Sequence, residues 1–212
     1  MNTDQKKFWK DKPKLKLKEK PNYFAIKSYS YIKNRKYKAL LDLGCGLSRD
    51  PIYFAKKGYN VTALDVSKNR LQSLKEEALR LDLNNINFKI QDISRLSLQD
   101  KSFDIIYAHL SLHYFNHETT VRIFKKIHKL LKKNGMFFVK CKSIDDPEYK
   151  KSKKISNGLL IYRGKIKHFF TKEYLASLLK DFRIMQIRRT GSVYIGHREK
   201  SKYIEAIAKK QY

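Results

Sequence analysis

Cysteine is almost missing from this chain: Cys45 and Cys141 are the only two in 212 residues. Two thiols cannot build a disulfide framework, and by themselves they cannot complete a zinc site, so both are expected to be reduced and no metal centre is assigned. Proline is scarce too, at four. No Gly/Ser-rich linker or internal repeat divides the sequence, which at this length reads as one domain around one core. Apolar runs stay well short of the roughly 18 to 20 residues that a membrane-spanning helix needs, so no membrane partner is assigned. Met1 to Lys20 is lysine-rich and lacks an apolar stretch followed by small residues. A secretory signal is therefore not expected, and the expected location is the cytoplasm.

Acidic residues are the other shortage. Twenty Asp and Glu stand against 48 Lys and Arg, a formal charge of +28, and such a surface attracts phosphate backbones and other anions without any dedicated site. The lysines outnumber the arginines 37 to 11 and are spread along the chain, with mild concentrations at Lys6 to Lys20 and Lys150 to Lys167. Asn, Ile and Tyr are also plentiful, a composition expected of an A+T-rich genome. RNA binders more often show arginine forks interleaved with aromatic side chains. Nucleic acid therefore ranks behind a small molecule as the partner, and the oligomeric state is left open.

What the chain does have is alternation. From Ala39 onward, short apolar runs alternate with segments of helical period, the pattern of a parallel sheet with crossover helices. Ala39 to Leu43 reads as a first strand, followed by the turn Gly44-Cys45-Gly46 and a helix that Asp50 caps, Pro51 opens and Gly58 ends. Tyr59 to Leu64 closes a second strand on Asp65, and Ser67 caps a helix with Leu71, Leu74, Ala78 and Leu81 on one face. Strands follow at Ile86 to Ile90 and Phe103 to His109. A helix from Asn116 or His117 carries Val121, Phe124, Ile127 and Leu131, and after an Asn134-Gly135 turn Met136 to Cys141 is the fifth strand. Thr171 caps a last helix. Arg183 to Arg189 and Tyr203 to Ala208 have no helix between them and read as an antiparallel hairpin. The expected fold is α/β, a doubly wound, mostly parallel seven-stranded sheet ending in that hairpin. Residues 1–37 form a basic N-terminal segment with a lid helix, and residues 38–212 a main domain with an insertion at 142–170.

A glycine-rich turn leaving the first strand lets backbone approach a ligand, and an acid ~20 positions later suits ribose hydroxyls. Gly44, Gly46 and Asp65 fit. Dinucleotide binding competes for this pattern, but Asp42 stands immediately before the turn and the third glycine is missing. A carboxylate there disfavours a pyrophosphate and suits a ligand with an ammonium group.

Leu41-Asp42-Leu43-Gly44-Cys45-Gly46, Val61-Thr62-Ala63-Leu64-Asp65-Val66-Ser67 and Gln91-Asp92-Ile93 resemble, in order and spacing, three cofactor motifs of class I methyltransferases over residues 38 to 210. The resemblance implies S-adenosyl-L-methionine as cofactor. Asp42, Gly44, Cys45 and Gly46 would lie against its methionine part, Asp65 and Val66 at the ribose, and Asp92 and Ile93 at the adenine. The departure is Ser48, where many relatives carry glycine. Gly46 to Ala55, through Arg49 and Asp50, is similar to the helix start of the tellurite and thiopurine methyltransferase-like group, which implies a small-molecule acceptor and adds Arg49 to the cofactor set.

After the fourth strand the chain reads Ala108-His109-Leu110-Ser111-Leu112-His113-Tyr114-Phe115. The Asn or Asp, Pro-Pro, aromatic signature of amino-methylating nucleic-acid enzymes is absent, and no cysteine stands there for a covalent pyrimidine mechanism. His109 and His113 are the catalytic candidates, because imidazole titrates near neutrality and the end of the fourth strand faces the methyl in this fold. The plainer alternatives are a packed His109 and a surface His113. In the insertion, Asp145-Asp146 before Pro147 is read first as a loop turn and second as a cation site. His168, Phe169 and Phe170 line the acceptor pocket or anchor the insertion. Trp9, Pro21, Tyr23 and Phe24 are expected to close over the cofactor, the alternative being a solvated tail. An RNA or protein methyltransferase and a non-catalytic S-adenosylmethionine-binding module are the competing readings; a blocked pocket would favour the second.

Overall fold

The computed structural model describes residues 3–10, 20–155, 159–162, 164–192 and 200–211. In chain order its elements are α1 (Thr3–Lys10), α2 (Tyr23–Ile32), β1 (Ala39–Leu43), α3 (Asp50–Lys56), β2 (Asn60–Asp65), α4 (Lys68–Arg80), β3 (Ile86–Ile90), β4 (Phe103–His109), α5 (His117–Leu130), β5 (Leu131–Lys142), α6 (Pro147–Lys151), β6 (Lys153–Lys154), β7 (Leu159–Tyr162), β8 (Lys165–His168), α7 (Lys172–Leu178), β9 (Arg183–Ser192) and β10 (Ser201–Lys209). Short 3-10 turns at Ile93–Arg95 and Leu112–Tyr114 follow β3 and β4. The main sheet runs β3-β2-β1-β4-β5-β10-β9. β1 to β5 pair in parallel, while β10 lies antiparallel to both β5 and β9. The expected doubly wound seven-stranded sheet with its terminal hairpin is the observed one; the connection at 193–199 lies outside the described residues.

Helices cover both faces. The apolar stripe of α5 (Ile123, Phe124, Ile127, Leu130) and Leu175 and Leu178 of α7 pack with Leu41, Ile106 and Phe137 on one face. Phe24, Ala25 and Ile32 of α2 and Phe54 and Ala55 of α3 pack with Leu40, Tyr107 and Phe138 on the other. Each large side chain so buried contributes roughly 1.5–3 kcal/mol of transfer free energy.

Several local expectations need correction. Asp50 does not cap α3: the cap position is Arg49, and the Asp50 N–H donates to Ser48 Oγ at 3.0 Å. Ser67 sits at the start of α4 but makes no side-chain cap bond; Asp65 Oδ1 accepts the Ser67 N–H instead, at 2.8 Å. Leu131 is not on α5. It opens β5, opposite Phe103, and the expected Asn134-Gly135 turn lies inside the strand, where the register against β4 shifts and Asn134 takes φ 66°. The insertion is a small unit of its own, α6 and the antiparallel sheet β6-β7-β8.

Candidate functional site

A cavity of about 350 Å³ opens at the carboxyl ends of β1, β2 and β4, within the roughly 300–1,000 Å³ of small-molecule sites. β1 has β2 on one side and β4 on the other, so successive crossovers leave in opposite directions and a crevice forms where they part. Gly44 and Gly46 make the turn at its floor. Both have positive φ, 75° and 56°, and a Cβ on Gly44 would come within 2.5 Å of the Ser111 Cβ, so the turn passes the chain leaving β4 too closely for any side chain. The Gly44 and Cys45 N–H groups both donate to the Leu64 carbonyl, fixing the turn against β2.

Asp42 is 1% exposed, and its Oδ2 is buried without a hydrogen-bond partner. Burial first, then the neighbouring Asp50 and Asp65 carboxylates, push its carboxyl well above the usual range. Asp65, at the end of β2, accepts from the Gly46 N–H at 2.9 Å and the Ser67 N–H. Burial raises its carboxyl too, against those bonds and the nearby Arg70. Asp92, after β3, accepts from the N–H and hydroxyl of Ser94, and Ile93 beside it is 9% exposed. Asp42, Gly44, Cys45 and Gly46 line this one cavity together with Asp65, Val66, Asp92, Ile93 and His109.

Two of the sequence candidates lie elsewhere. Arg49 faces α4, where it pairs with Glu77 at 2.7 Å; Arg80 and Arg49 hold Glu77 down to about 2. His113 is neither at the cavity nor on the surface: it is 1% exposed with Nδ1 unpartnered. Burial and the cations Lys167 and Lys142 hold its pKa well below that of free imidazole. His109 ends β4 with its ring stacked on Tyr107 (centroids 6.3 Å apart) and 6.0 Å from Phe24. Burial raises the Cys45 thiol far above neutrality, which leaves no thiolate nucleophile at the turn.

The structure adds residues that the motifs did not reveal. Asp50 is fully buried and accepts from the Asn22 N–H (2.7 Å), Asn22 Nδ2 (2.8 Å) and the Tyr107 hydroxyl (2.9 Å), tying the start of α2 to the cofactor-side helix and β4. Ser48 accepts from Asn22 Nδ2 at 3.0 Å, so this departure from glycine supplies a tether and leaves the cavity open. Arg70 and Trp9 also line the cavity, the guanidinium 5.1 Å from the Trp9 ring, and Arg70 Nε, Trp9 Nε1 and Gln91 Oε1 are all buried without partners. Trp9 is already among the sequence candidates and Gln91 stands in the third motif, whereas Arg70 is placed only by long-range contacts that no spacing rule marks.

In the insertion, Asp146 caps α6 through the Glu148 N–H and accepts from Lys142 Nζ at 2.8 Å, while Asp145 accepts from the Ser143 hydroxyl. The pair serves a turn. Phe169 and Phe170 are buried in the core and His168 packs on Phe170 and Tyr174, so they anchor the insertion and do not line the cavity.

Comparison with known proteins agrees with this geometry. A methyltransferase-domain family model matches residues 40–135. Phosphoethanolamine N-methyltransferase 1 of Triticum aestivum is 32% identical over 130 residues, 59% of this chain and 24% of that protein. A crystal structure of an S-adenosylmethionine-dependent methyltransferase from Methanosarcina mazei matches with TM-score 0.73 at 24% identity, over 91% of this chain and 99% of that one. TehB from Haemophilus influenzae matches with TM-score 0.72 at 21% identity, over 92% of this chain and 64% of that one. The chain spans from about a quarter to about a half of the length of the first curated relatives it matches. No helix among the described residues is long and apolar enough to cross a membrane. Three acid-bearing motifs meet at one crevice of this sheet, and the segment that carries them, residues 40–135, is similar to a methyltransferase-domain family, in a chain whose fold is that of the S-adenosylmethionine-dependent methyltransferases of known structure.

Proposed function

We propose that this protein transfers the methyl group of S-adenosyl-L-methionine to a small-molecule acceptor. The observation that carries the reading is the convergence of Asp42, Asp65 and Asp92 on one cavity, with Asp42 Oδ2 buried and unpartnered. A buried carboxylate without a partner is costly, and a ligand ammonium is the group that relieves it. Asp65 retains acceptor capacity for a ribose diol, since each carboxylate oxygen can take a second hydrogen bond. Ile93 supplies an apolar wall and Asp92 an acceptor for an exocyclic amine. Arg70 Nε and Trp9 Nε1 offer two donors to the anionic end of the cofactor.

Bound there, the cofactor supplies an electrophilic methyl group on a sulfonium. The chain's own contribution is alignment: in-line displacement needs the acceptor atom held opposite the leaving sulfur, and positioning alone supplies much of such a rate. His109, at the cavity beside Phe24 and Tyr107, would take the proton of a protonated acceptor. α1 with Trp9 closes the mouth, excluding water. The small-molecule acceptor is supported by the helix-start likeness and by the named acceptors of relatives such as phosphoethanolamine N-methyltransferase.

Calorimetric titration of protein freed of nucleic acid at high salt, with S-adenosylmethionine, S-adenosylhomocysteine and NAD, tests this. Micromolar binding of both sulfur ligands, lost in Asp65→Ala and absent for NAD, is expected. Failure of both sulfur ligands to bind would sink the reading.

A further inference from the structure

Asp42 on β1 and Tyr107 on β4 are register partners, so their side chains leave the same face of the sheet. That is the face covered by α2 and α3, from which Asn22 and Asp50 reach the same cavity. The Asp50 carboxylate is 0% exposed and accepts from the Asn22 N–H at 2.7 Å, Asn22 Nδ2 at 2.8 Å and the Tyr107 hydroxyl at 2.9 Å. Asp65, the third buried acid here, accepts from the Gly46 and Ser67 N–H groups and has the Arg70 guanidinium nearby. Of the three, only Asp42 keeps a buried oxygen without a partner, its Oδ2.

Buried carboxylates that feel one another's charge do not all stay ionised, and a shared proton goes to the one with the fewest donors, because hydrogen bonds to the charged form hold the others ionised. Asp50, with its three donors, keeps the charge; Asp42 takes the proton. The other titratable groups facing Asp42 leave this balance alone. Tyr107 from β4 and Cys45 from the turn are both pushed up by burial and stay neutral. Arg70 of α4 stands by Asp65, while Asp92 after β3 and His109 at the end of β4 share the cavity.

We infer that Asp50 is a positioning residue for cofactor loading: its charge, held by Asn22 and Tyr107, keeps a proton on Asp42 until a ligand ammonium takes that proton's place. On loading, the Asp42 O–H bond breaks with its electron pair left on the carboxylate, and the proton passes to solvent. Asp42 Oδ2, so freed, accepts from the ammonium. The chain thus avoids an unpaired buried charge before loading, and its cofactor affinity follows pH. Below the pH at which Asp42 of the unliganded chain gives up its proton, affinity climbs by up to about tenfold per pH unit; above it, affinity is level. The inference rests on the methyltransferase reading, which supplies the ammonium.

The probe is S-adenosylhomocysteine, which carries the ammonium without a sulfonium. It is titrated calorimetrically into the full chain between about pH 5 and about pH 7.5, where its α-amine stays charged, in buffers of different ionisation enthalpy that count the protons released. Wild type should bind about tenfold or more tighter at the upper end than at the lower, and release protons where affinity is climbing. Asp42→Asn has no proton to give, so it should bind more weakly, with a level profile and no release. Asp50→Asn should move the climb to lower pH by about one unit, because the charge that keeps Asp42 protonated is gone. A level wild-type profile without proton release overturns the inference, whether or not Asp50→Asn folds well. So does a climb that survives in Asp42→Asn, which would assign the proton to another group such as His109. Weaker binding of Asp50→Asn with an unmoved profile would reduce Asp50 to a structural tie between α2 and α3. If wild type binds no S-adenosylhomocysteine at any pH, the methyltransferase reading itself falls, and this inference with it.

Discussion

Asp42, Asp50 and Asp65 lie buried together at the heads of β1, α3 and β2, and burial raises all three carboxyls. Across the sheet, Lys27, Lys140 and Arg188 gather on the one buried carboxylate of Glu205, and Lys142 and Lys167 on Asp146 and Glu148. One region therefore leaves its acids short of protein cations, in a chain with more than twice as many cations as acids. The other buries its cations only with a carboxylate between them. Ionic groups buried for the fold are paired, because an unpaired one costs several kcal/mol. Acids left in want of a cation mark a place where a ligand completes the pairing.

The sharpest way to break this contrast is Glu205→Gln. Glu205 is 3% exposed, and Lys27 and Lys140 around it are 11% and 12% exposed, so the variant leaves buried ammonium groups uncompensated. Removal of one partner from such a group costs about 3 kcal/mol, or a melting point lower by about 10 °C at this chain length. A shift within 2 °C by calorimetry would show the cluster to be solvated, and the contrast would vanish.

Asp42→Asn should act with the opposite sign on stability. Because burial raises the folded carboxyl above its unfolded value, Asp42 favours folding below pH about 3.9 and opposes it increasingly as pH rises toward the folded pKa. At pH 7 the amide variant should therefore be at least as stable as wild type. It should bind S-adenosylmethionine about 10- to 100-fold more weakly, the worth of one charge-assisted hydrogen bond. A destabilised variant with intact binding would make Asp42 a structural turn residue.

A smaller effect separates the two catalytic candidates. The His113 pKa is depressed by burial and then by Lys167 and Lys142, so its contribution to stability is full above pH about 6.5 and declines as pH falls toward the folded pKa. His168, held down to about 4 mainly by burial, adds an acid limb of the same sign. His113→Leu should therefore flatten part of the decline in melting temperature, by about 1 kcal/mol between pH 6.5 and 5.5. An unchanged limb would mean that His113 is hydrated and open to substrate.

The same contrast explains what could be read from sequence. The acidic region is local: strand, turn and acid follow within a few residues, so Asp42, Asp65 and Asp92 announce themselves by spacing, and a crevice at the strand ends follows from chain order. The cationic region is not. Lys27 finds Glu205 178 positions later, and Asp146 meets the Lys202 N–H 56 positions on. No period or motif records such pairs, which is why Asp145 and Asp146 could be read as a turn but not tied to Lys202 and β10. Arg49 follows the same rule: its helix-start motif is legible, but Glu77 on the next helix decides where the guanidinium goes. A polar loop residue such as His113 looks exposed until the insertion is known to fold over it.

Trp9 lies between the two regimes and carries the smallest expected effect. Its ring meets Arg70 at 5.1 Å and Tyr114 at 5.0 Å over the cofactor cavity, on an eight-residue helix outside the sheet. A cation–π contact of this kind contributes about 0.5–1 kcal/mol, and an isolated helix this short has little stability of its own. Trp9→Ala should leave the apo melting point within about 2 °C, because few core contacts are lost. If α1 is a lid, the variant should release S-adenosylhomocysteine about three- to tenfold faster at a nearly unchanged association rate, since closure follows binding. Equal release rates in stopped-flow measurements would show that α1 rests on the rim without gating it, and would assign the buried, unpartnered Trp9 and Arg70 donors to a ligand other than the cofactor.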